Sequence, residues 1–281
     1  MKVVALETNR LQKKELEQLK WAHRHLEHPS FAARVSSLVG SPIEEGLKLL
    51  PKSWYKKLHD AVEGSIRQSL DVAIESIDVV TPKFSSSHFH RFMAAGTGAV
   101  GGFLGPIALL AELPLMTTLI LRAIAEIALE EGEDLADAST RIACVEVFAF
   151  GARSKADSSA EAGYFGVRTM LGLHFSTSLV NVAEDKAFAI PGGVEFMRAV
   201  AARFGMVVED KVAAKMIPVA GAVSGAALNL IFMNHYLDVA RGHFIVRRLE
   251  RKYGVETIKN LYERITEEEI AKQNYSPVEG W

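Results

Sequence analysis

The chain has 281 residues, 49% of them hydrophobic and 23% charged, a balance that supports a folded core and excludes a disordered chain. A formal net charge of −2 supplies no global basic field for nucleic acid, and the single cysteine, Cys144, can form neither an internal disulfide nor a thiolate zinc site. The length suits one domain, read as a helical extension over residues 1–50 and a main body over residues 51–281.

The first twenty residues hold an apolar stretch of only four before Glu7, so no secretory signal is expected. From Thr8 to His28 the spacing of Leu11, Leu16, Leu19 and Ala22 predicts a helix with a solvated outer face, stopped by Pro29. Ser30 can cap a short helix that Gly40 ends, and Ser41-Pro42 opens the next. Lys52 to Val80 carries Trp54, Leu58, Val62, Ile66, Leu70 and Ile77 at helical spacing, and a polar linker through SSSHFH follows.

Two long uncharged runs then dominate the pattern, Phe92 to Ala111 and Met216 to Leu237. Each has the length to cross a bilayer, yet the first is interrupted by glycines and Pro106 and the second by Pro218, Asn229, Asn234 and His235. Breaks are expected near Gly105 and again at Pro114, which would open a new helix to Glu131 with Gly132 as its stop. On that helix Glu112, Arg122, Glu126 and Glu130 fall within roughly 80° of one another, a single narrow polar stripe. Arg122 is expected to lie largely buried, paired with Glu112 or Glu126.

Further helices are predicted over 137–150, 161–177 and 194–204, with a turn at Ile190-Pro191-Gly192-Gly193. A final long helix from Pro218 to Tyr253, stopped by Gly254, would reach roughly 50 Å and carries Arg241, Arg247, Arg248, Arg251 and Lys252 within an arc of about 140°. With no alternating strand pattern, the chain reads as all-α: a single compact multi-helix domain.

Several motifs invite a chemical reading. Gly96 to Gly101 matches G-x-G-x-x-G letter for letter, but no strand precedes it and no βαβ unit surrounds it, so no dinucleotide or other cofactor is expected. Ser224 in GAVSG has the wrong spacing for a hydrolase elbow, and His23, His25, His28, His88 and His90 lack metal-ligand spacing, so no metal site is expected. Small-x-x-x-small spacing in Gly98, Gly101, Gly102 and Gly105, and in Gly221 and Gly225, marks helix contacts, either within one core or in a bilayer. The basic arc is read as a membrane-surface patch abutting the apolar half of the last helix. Glu112, Arg122, Asn229, Asn234 and His235, polar groups in apolar surroundings, form either an internal network or a ligand site.

The segments GTGAVGGFLG, ELPLMTTLILRAIAEIALEEGED, CVEVFAFG, AGYFGVR, IPVAGAVSGAALNLIFMNH and GHFIVRRLERKYG together resemble the EcsC family, over roughly Pro51 to Tyr262. The family takes its name from a protein encoded beside the subunits of an ABC-type transporter. The resemblance implies an all-α fold and a link to membrane transport or the cell envelope, and it carries no reaction. Glu112 keeps the family's acidic position before the Leu-Pro step, where Asp is more usual.

The expected function is therefore a bacterial, membrane-associated accessory or regulatory protein on the cytoplasmic face of the inner membrane, with a membrane or membrane-protein partner such as an ABC-type transporter. The competing classes are a hydrolase of a lipid or envelope substrate, with Glu112, Arg122, Tyr164 and Arg168 as its polar groups, and a soluble carrier of an apolar ligand.

Overall fold

The computed structural model describes residues 11–27, 31–40, 42–77, 105–152, 163–174, 191–216 and 225–275. All elements among them are helices: α1 (Lys13–Glu27), α2 (Phe31–Val39), α3 (Ile43–Leu49), α4 (Lys52–Ile77), α5 (Gly105–Glu130), α6 (Ala138–Phe150), α7 (Tyr164–Leu173), α8 (Pro191–Met216), α9 (Gly225–Tyr253) and α10 (Val255–Tyr275).

The organising element is α9. Leu228, Phe232, Tyr236, Val239, Ala240, Phe244, Val246 and Leu249 are buried along it, a spread too wide for one amphipathic stripe and typical of a helix enclosed by others. It is enclosed by α1, α2, α5, α6 and α10. The N-terminal helices belong to this same core: Leu19 and Ala22 of α1 are buried against α9, and α3 packs on α8. Where α6, α8 and α9 meet, Phe148, Phe204, Phe232 and Tyr236 form a fully buried aromatic cluster with ring centroids 4.7 Å apart for Phe148–Phe204 and 5.3 Å for Phe232–Tyr236. Such pairs add about 0.5–1.5 kcal/mol each beyond the area they bury.

Two contacts fix the direction of α5 against α9. Glu112, near the start of α5, meets Asn229, near the start of α9. Glu133, just past the end of α5, meets Arg247 in the last part of α9. The two helices therefore run parallel, and α4 covers α5 from another side.

Gly132 ends α5 as expected, at φ +79°, with the Schellman pairing of Glu133 N–H to the Ala128 carbonyl and Gly132 N–H to the Leu129 carbonyl. Gly40 and Gly254 also lie at positive φ, each at the end of a helix. The expected break at Pro114 is absent: α5 runs through it. A proline inside a helix removes one backbone bond, but here Leu113, Met116 and Ile120 are buried on either side of it, and that packing keeps the helix continuous. Pro106 lies in the first described turn of α5, and the residues before Gly105, where the other break was expected, lie outside the described residues.

The helix expected over 194–204 extends from Pro191 to Met216, and the one expected over 161–177 is described over Tyr164–Leu173. The long form of α8 is hidden in sequence because Lys211, Val212, Ala213 and Ala214 are buried in succession, on every side of it, so no polar face repeats at 3.6 residues there. The last helix begins, among the described residues, at Gly225, while Pro218, Gly221 and Ser224 lie outside them.

Gly46 and Gly242 are two of the glycines at close approaches between helices. A Cβ on Gly46 would stand 2.1 Å from the Ala213 carbonyl oxygen of α8, and one on Gly242 would stand 3.1 Å from Leu26 Cγ of α1. Of the glycines expected at helix contacts, Gly225 is buried at the start of α9 and Gly105 opens α5, whereas Gly98, Gly101, Gly102 and Gly221 lie outside the described residues.

Candidate functional site

Three helices meet at the N-terminal end of the α5–α9 pair, and each contributes a polar side chain to an otherwise apolar junction. Asn229 Nδ2 of α9 donates to Glu112 Oε1 of α5. Lys215 Nζ, one residue from the end of α8, stands 4.0 Å from Glu112 Oε2, with 11% and 7% of the two side chains exposed. One turn earlier on α8, Lys211 is fully buried, with its Nζ 4.4 Å from the centroid of the Phe232 ring and with no hydrogen-bond partner. Burial disfavours its charge and brings the Lys211 amine down to about 7, with Glu112 opposing that shift and Lys215 adding to it. Burial likewise lowers Lys215, against the pull of Glu112.

The chemistry of this set is unbalanced. Two amines face one carboxylate, and the more deeply buried amine makes no hydrogen bond. The junction is also where both uncharged runs join the described body. Glu112 is seven residues, about 10 Å, from the first residue of α5; Lys215 is next to the last residue of α8; and Asn229 is four residues from the start of α9.

The remaining sequence candidates fall elsewhere. Arg122 lies two turns and more down α5, its Nε 3.9 Å from Glu126 Oε1, with 27% and 23% of the two side chains exposed, so the expected pairing with Glu126 is present and the arginine is largely, not fully, buried. Tyr164 and Arg168 of α7 join a second network. Arg168 donates to both oxygens of Glu250 at 2.7 and 2.8 Å and to the Tyr164 hydroxyl at 3.4 Å, and the Tyr164 oxygen lies 2.8 Å from His243 Nδ1. Burial, with Arg168 and Arg247 nearby, holds His243 well below its ordinary range, so the neutral ring accepts from Tyr164 through Nδ1 and turns Nε2–H toward Glu146, 3.9 Å away. Burial raises Glu146 to about 7.

His235 Nε2 donates to the Gly151 carbonyl at 2.8 Å, and burial lowers the ring to about 4, a neutral donor that ties α9 to the end of α6. Asn234 is half-buried on the same helix. Cys144 is buried, and its thiol is pushed up to about 12 by burial, which leaves it inert. The groups named for a hydrolase thus stand in three separate sets, one around Glu112, one at Arg122 and one around Tyr164 and Arg168.

Four residues of the basic arc are paired with acids, although Arg251 and Lys252 stay exposed. Arg247 donates to Glu133 Oε1 at 2.8 Å and Oε2 at 3.2 Å, and Arg251 pairs with the same carboxylate. Arg248 Nε stands 2.7 Å from Glu131 Oε2, and Lys252 Nζ stands 2.7 Å from Glu15 Oε1 of α1, while Arg241 is exposed. Glu15 also accepts from the Tyr253 hydroxyl at 2.6 Å, and its hydrogen bonds to Lys252 and Tyr253 bring it down to about 2. Arg241 follows Leu237, the last residue of the uncharged run, by one turn, but Phe232, Met233, Tyr236 and Leu237 of that run are buried in the core. Asn229 and Arg247 are eighteen residues apart, about 27 Å along α9, so the basic residues sit at the opposite end of the helix pair from the apolar attachment points.

Sequence reasoning passed over Lys211, Lys215, Glu133, Glu146, His243 and Glu250. For the two lysines one signal was present: they stand one turn apart and are separated only by Val212, Ala213 and Ala214, a stretch without any polar companion.

The EcsC protein family model matches residues 11–249. The chain belongs to the EcsC protein family. The match takes in α1, α2 and α3, so the N-terminal helices that pack on α8 and α9 are part of what defines the family, beyond the Pro51 to Tyr262 stretch that carried the resemblance. It also covers all three helices that build the Glu112 junction of this EcsC-family chain. No curated protein and no solved structure matches the chain.

Proposed function

We propose that this EcsC-family chain is a membrane-associated accessory or regulatory factor that acts by binding, in transport or in a cell-envelope process. The reading places it on the cytoplasmic side of a bacterial inner membrane, with lipid or a membrane protein, such as an ABC-type transporter, as its partner. The observation that carries it is that the described helices to which the two uncharged runs attach come together. The sequences FMAAGTGAVGGFL (92–104) and IPVAGAVS (217–224) hold no charged residue, and the helices they lead into or out of meet at the Glu112 junction. Apolar sequence concentrated at one end of a helical body suits contact with hydrocarbon at that end. No helix among the described residues is long and apolar enough to cross a membrane, so the contact proposed is one that 92–104 and 217–224 make from one side.

Four of the five basic residues pair with acids at the far end, so the proposed attachment is hydrophobic in origin and resists salt. Flotation with vesicles of phosphatidylethanolamine and phosphatidylglycerol tests this. The protein should float with the vesicles in both low and 1 M salt, and a Phe103→Ser/Leu104→Ser variant should float less. Protein that stays in the dense fraction as a monodisperse species defeats the reading; protein that floats only at low salt would make the contact electrostatic and shift it to other residues.

A further inference from the structure

Lys211 is the one group in the Glu112 junction whose placement the fold itself does not explain. A lysine in a helix core can extend its ammonium to water along its stem, but this one is fully buried and ends over the Phe232 ring without a hydrogen-bond partner. The ring face offers a partial substitute for solvation, and Glu112, the nearest carboxylate, already accepts from Asn229 and faces Lys215. With both amines protonated the set carries two positive charges and one negative, and the donors of Lys211 and Lys215 remain without acceptors. A buried charge of this kind is costly unless something pairs with it.

We propose that Lys211 and Lys215 form the binding site for the monoanionic head of an amphiphile, a carboxylate or a phosphodiester. One added negative charge makes the set neutral, and a group with two oxygens offers one acceptor to each amine. Glu112 selects for a single charge, because a dianion would leave the set negative and repel the carboxylate. The amide of Asn229 holds Glu112 in place. Lys215 and Glu112 retain some exposure, so the head enters past them and the apolar tail trails outward from that opening. The site deepens the membrane reading, and it rests on that reading only for the source of the ligand.

Native mass spectrometry and thermal melting of the full chain, each with palmitate, dihexanoyl phosphatidylglycerol, inorganic phosphate and hexadecanol, test it. Wild type should bind one equivalent of palmitate or of the phosphatidylglycerol and melt higher with it, with no such shift from hexadecanol. Binding of palmitate alone assigns a free acid, and binding of the glycerophospholipid alone assigns a membrane headgroup. Lys211→Met should weaken binding at least tenfold while its ligand-free melting temperature stays level or rises, since an apolar chain of similar length replaces an unpaired amine. Should that variant melt early, Lys215→Met carries the same expectation. Glu112→Gln should bind the monoanions several-fold more tightly and begin to accept inorganic phosphate. Equal binding by wild type and a well-folded Lys211→Met, or no binding of either monoanionic amphiphile by wild type, overturns the site. Flotation of Lys211→Met to the wild-type extent with its binding intact rejects the site and leaves the membrane reading standing. Palmitate binding by a protein that does not float keeps the site and rejects the membrane reading.

Discussion

At the C-terminal end of the parallel α5–α9 pair, Glu133 accepts from Arg247 through both oxygens, pairs with Arg251, and accepts the Thr140 hydroxyl at 3.1 Å. At the N-terminal end of the same pair, Lys211 is buried with no hydrogen bond, and two amines share Glu112. Burial works against Glu133 too, yet its arginine partners hold its carboxyl below the ordinary range, while burial brings Lys211 down unopposed by any hydrogen bond. One end uses charge to fasten helices; the other holds charge that the fold leaves unmatched. The two kinds of buried charge respond differently to substitution, and that difference can be measured.

The largest effect is expected in the fastened network. Glu250 is buried and takes both hydrogen bonds from Arg168, so Glu250→Ala strands a guanidinium beside Tyr164 and His243. Removing one partner of a buried pair costs about 3–5 kcal/mol. Denaturant unfolding should show that loss with the m-value unchanged; a loss below about 1 kcal/mol would mean that this end is no more fastened than the other.

The unmatched end should reveal itself through pH. The folded-state amine of Lys211 is lowered from 10.5 to about 7, so between those values the unfolded chain binds a proton that the folded chain does not. Stability from this group is therefore present above the unfolded value and lost as pH falls through about 7. Each pH unit crossed in that window contributes up to about 1.4 kcal/mol. The stability of wild type relative to Lys211→Met should rise between pH 7 and 9, and a difference that stays flat over that range would show the amine to be solvated.

A third expectation probes packing where neither end intervenes. Alanine normally improves on glycine inside a helix by about 0.5–1 kcal/mol, and Gly64→Ala in α4, with nothing within 4 Å of the new Cβ, should stabilise by that amount. Gly46→Ala should do the reverse, losing about 1–3 kcal/mol, because its Cβ would overlap the Ala213 carbonyl of α8. Equal signs for the two would remove the close approach of α3 and α8 from the account.

The all-α class and the helix stops were legible because they depend on local chemistry. Leu58, Val62 and Ile66 recur at helical spacing, and Gly40, Gly132 and Gly254 each end a helix at positive φ. The site was legible only in part. Glu112 and Asn229 stood out as polar groups in apolar runs, but Lys211 lies beyond the helix expected over 194–204, and its burial, with the Phe232 ring of α9 against its amine, is a product of packing that no local pattern shows. Parallel α5 and α9 could not be read from either segment, and the run that precedes the basic arc by one turn gave no sign that Phe232, Met233, Tyr236 and Leu237 are buried in the core. Pro114 misled for the same reason, since what holds α5 together there is burial of Leu113 and Met116 against other helices.

Arg122 gives the smallest effect and the sharpest contrast with Glu250. Its stripe on α5 promised a buried ion pair, but the Nε–Oε1 separation from Glu126 is 3.9 Å and both side chains keep about a quarter of their surface, so water screens the attraction. The order along the helix, Arg before Glu at a spacing of four, is the less favourable one relative to the helix dipole. A pair of this kind contributes at most a few tenths of a kcal/mol, and alanine recovers part of that through its higher helix propensity. Arg122→Ala should therefore change stability by less than about 0.5 kcal/mol, against the several lost at Glu250. A double-mutant cycle with Glu126→Ala would isolate the coupling. A coupling above about 1 kcal/mol would restore Arg122 to the fastened class and make α5 charged-locked along its whole length, whereas a null result confines the locking to the Glu133 and Glu250 networks at the far end of α9.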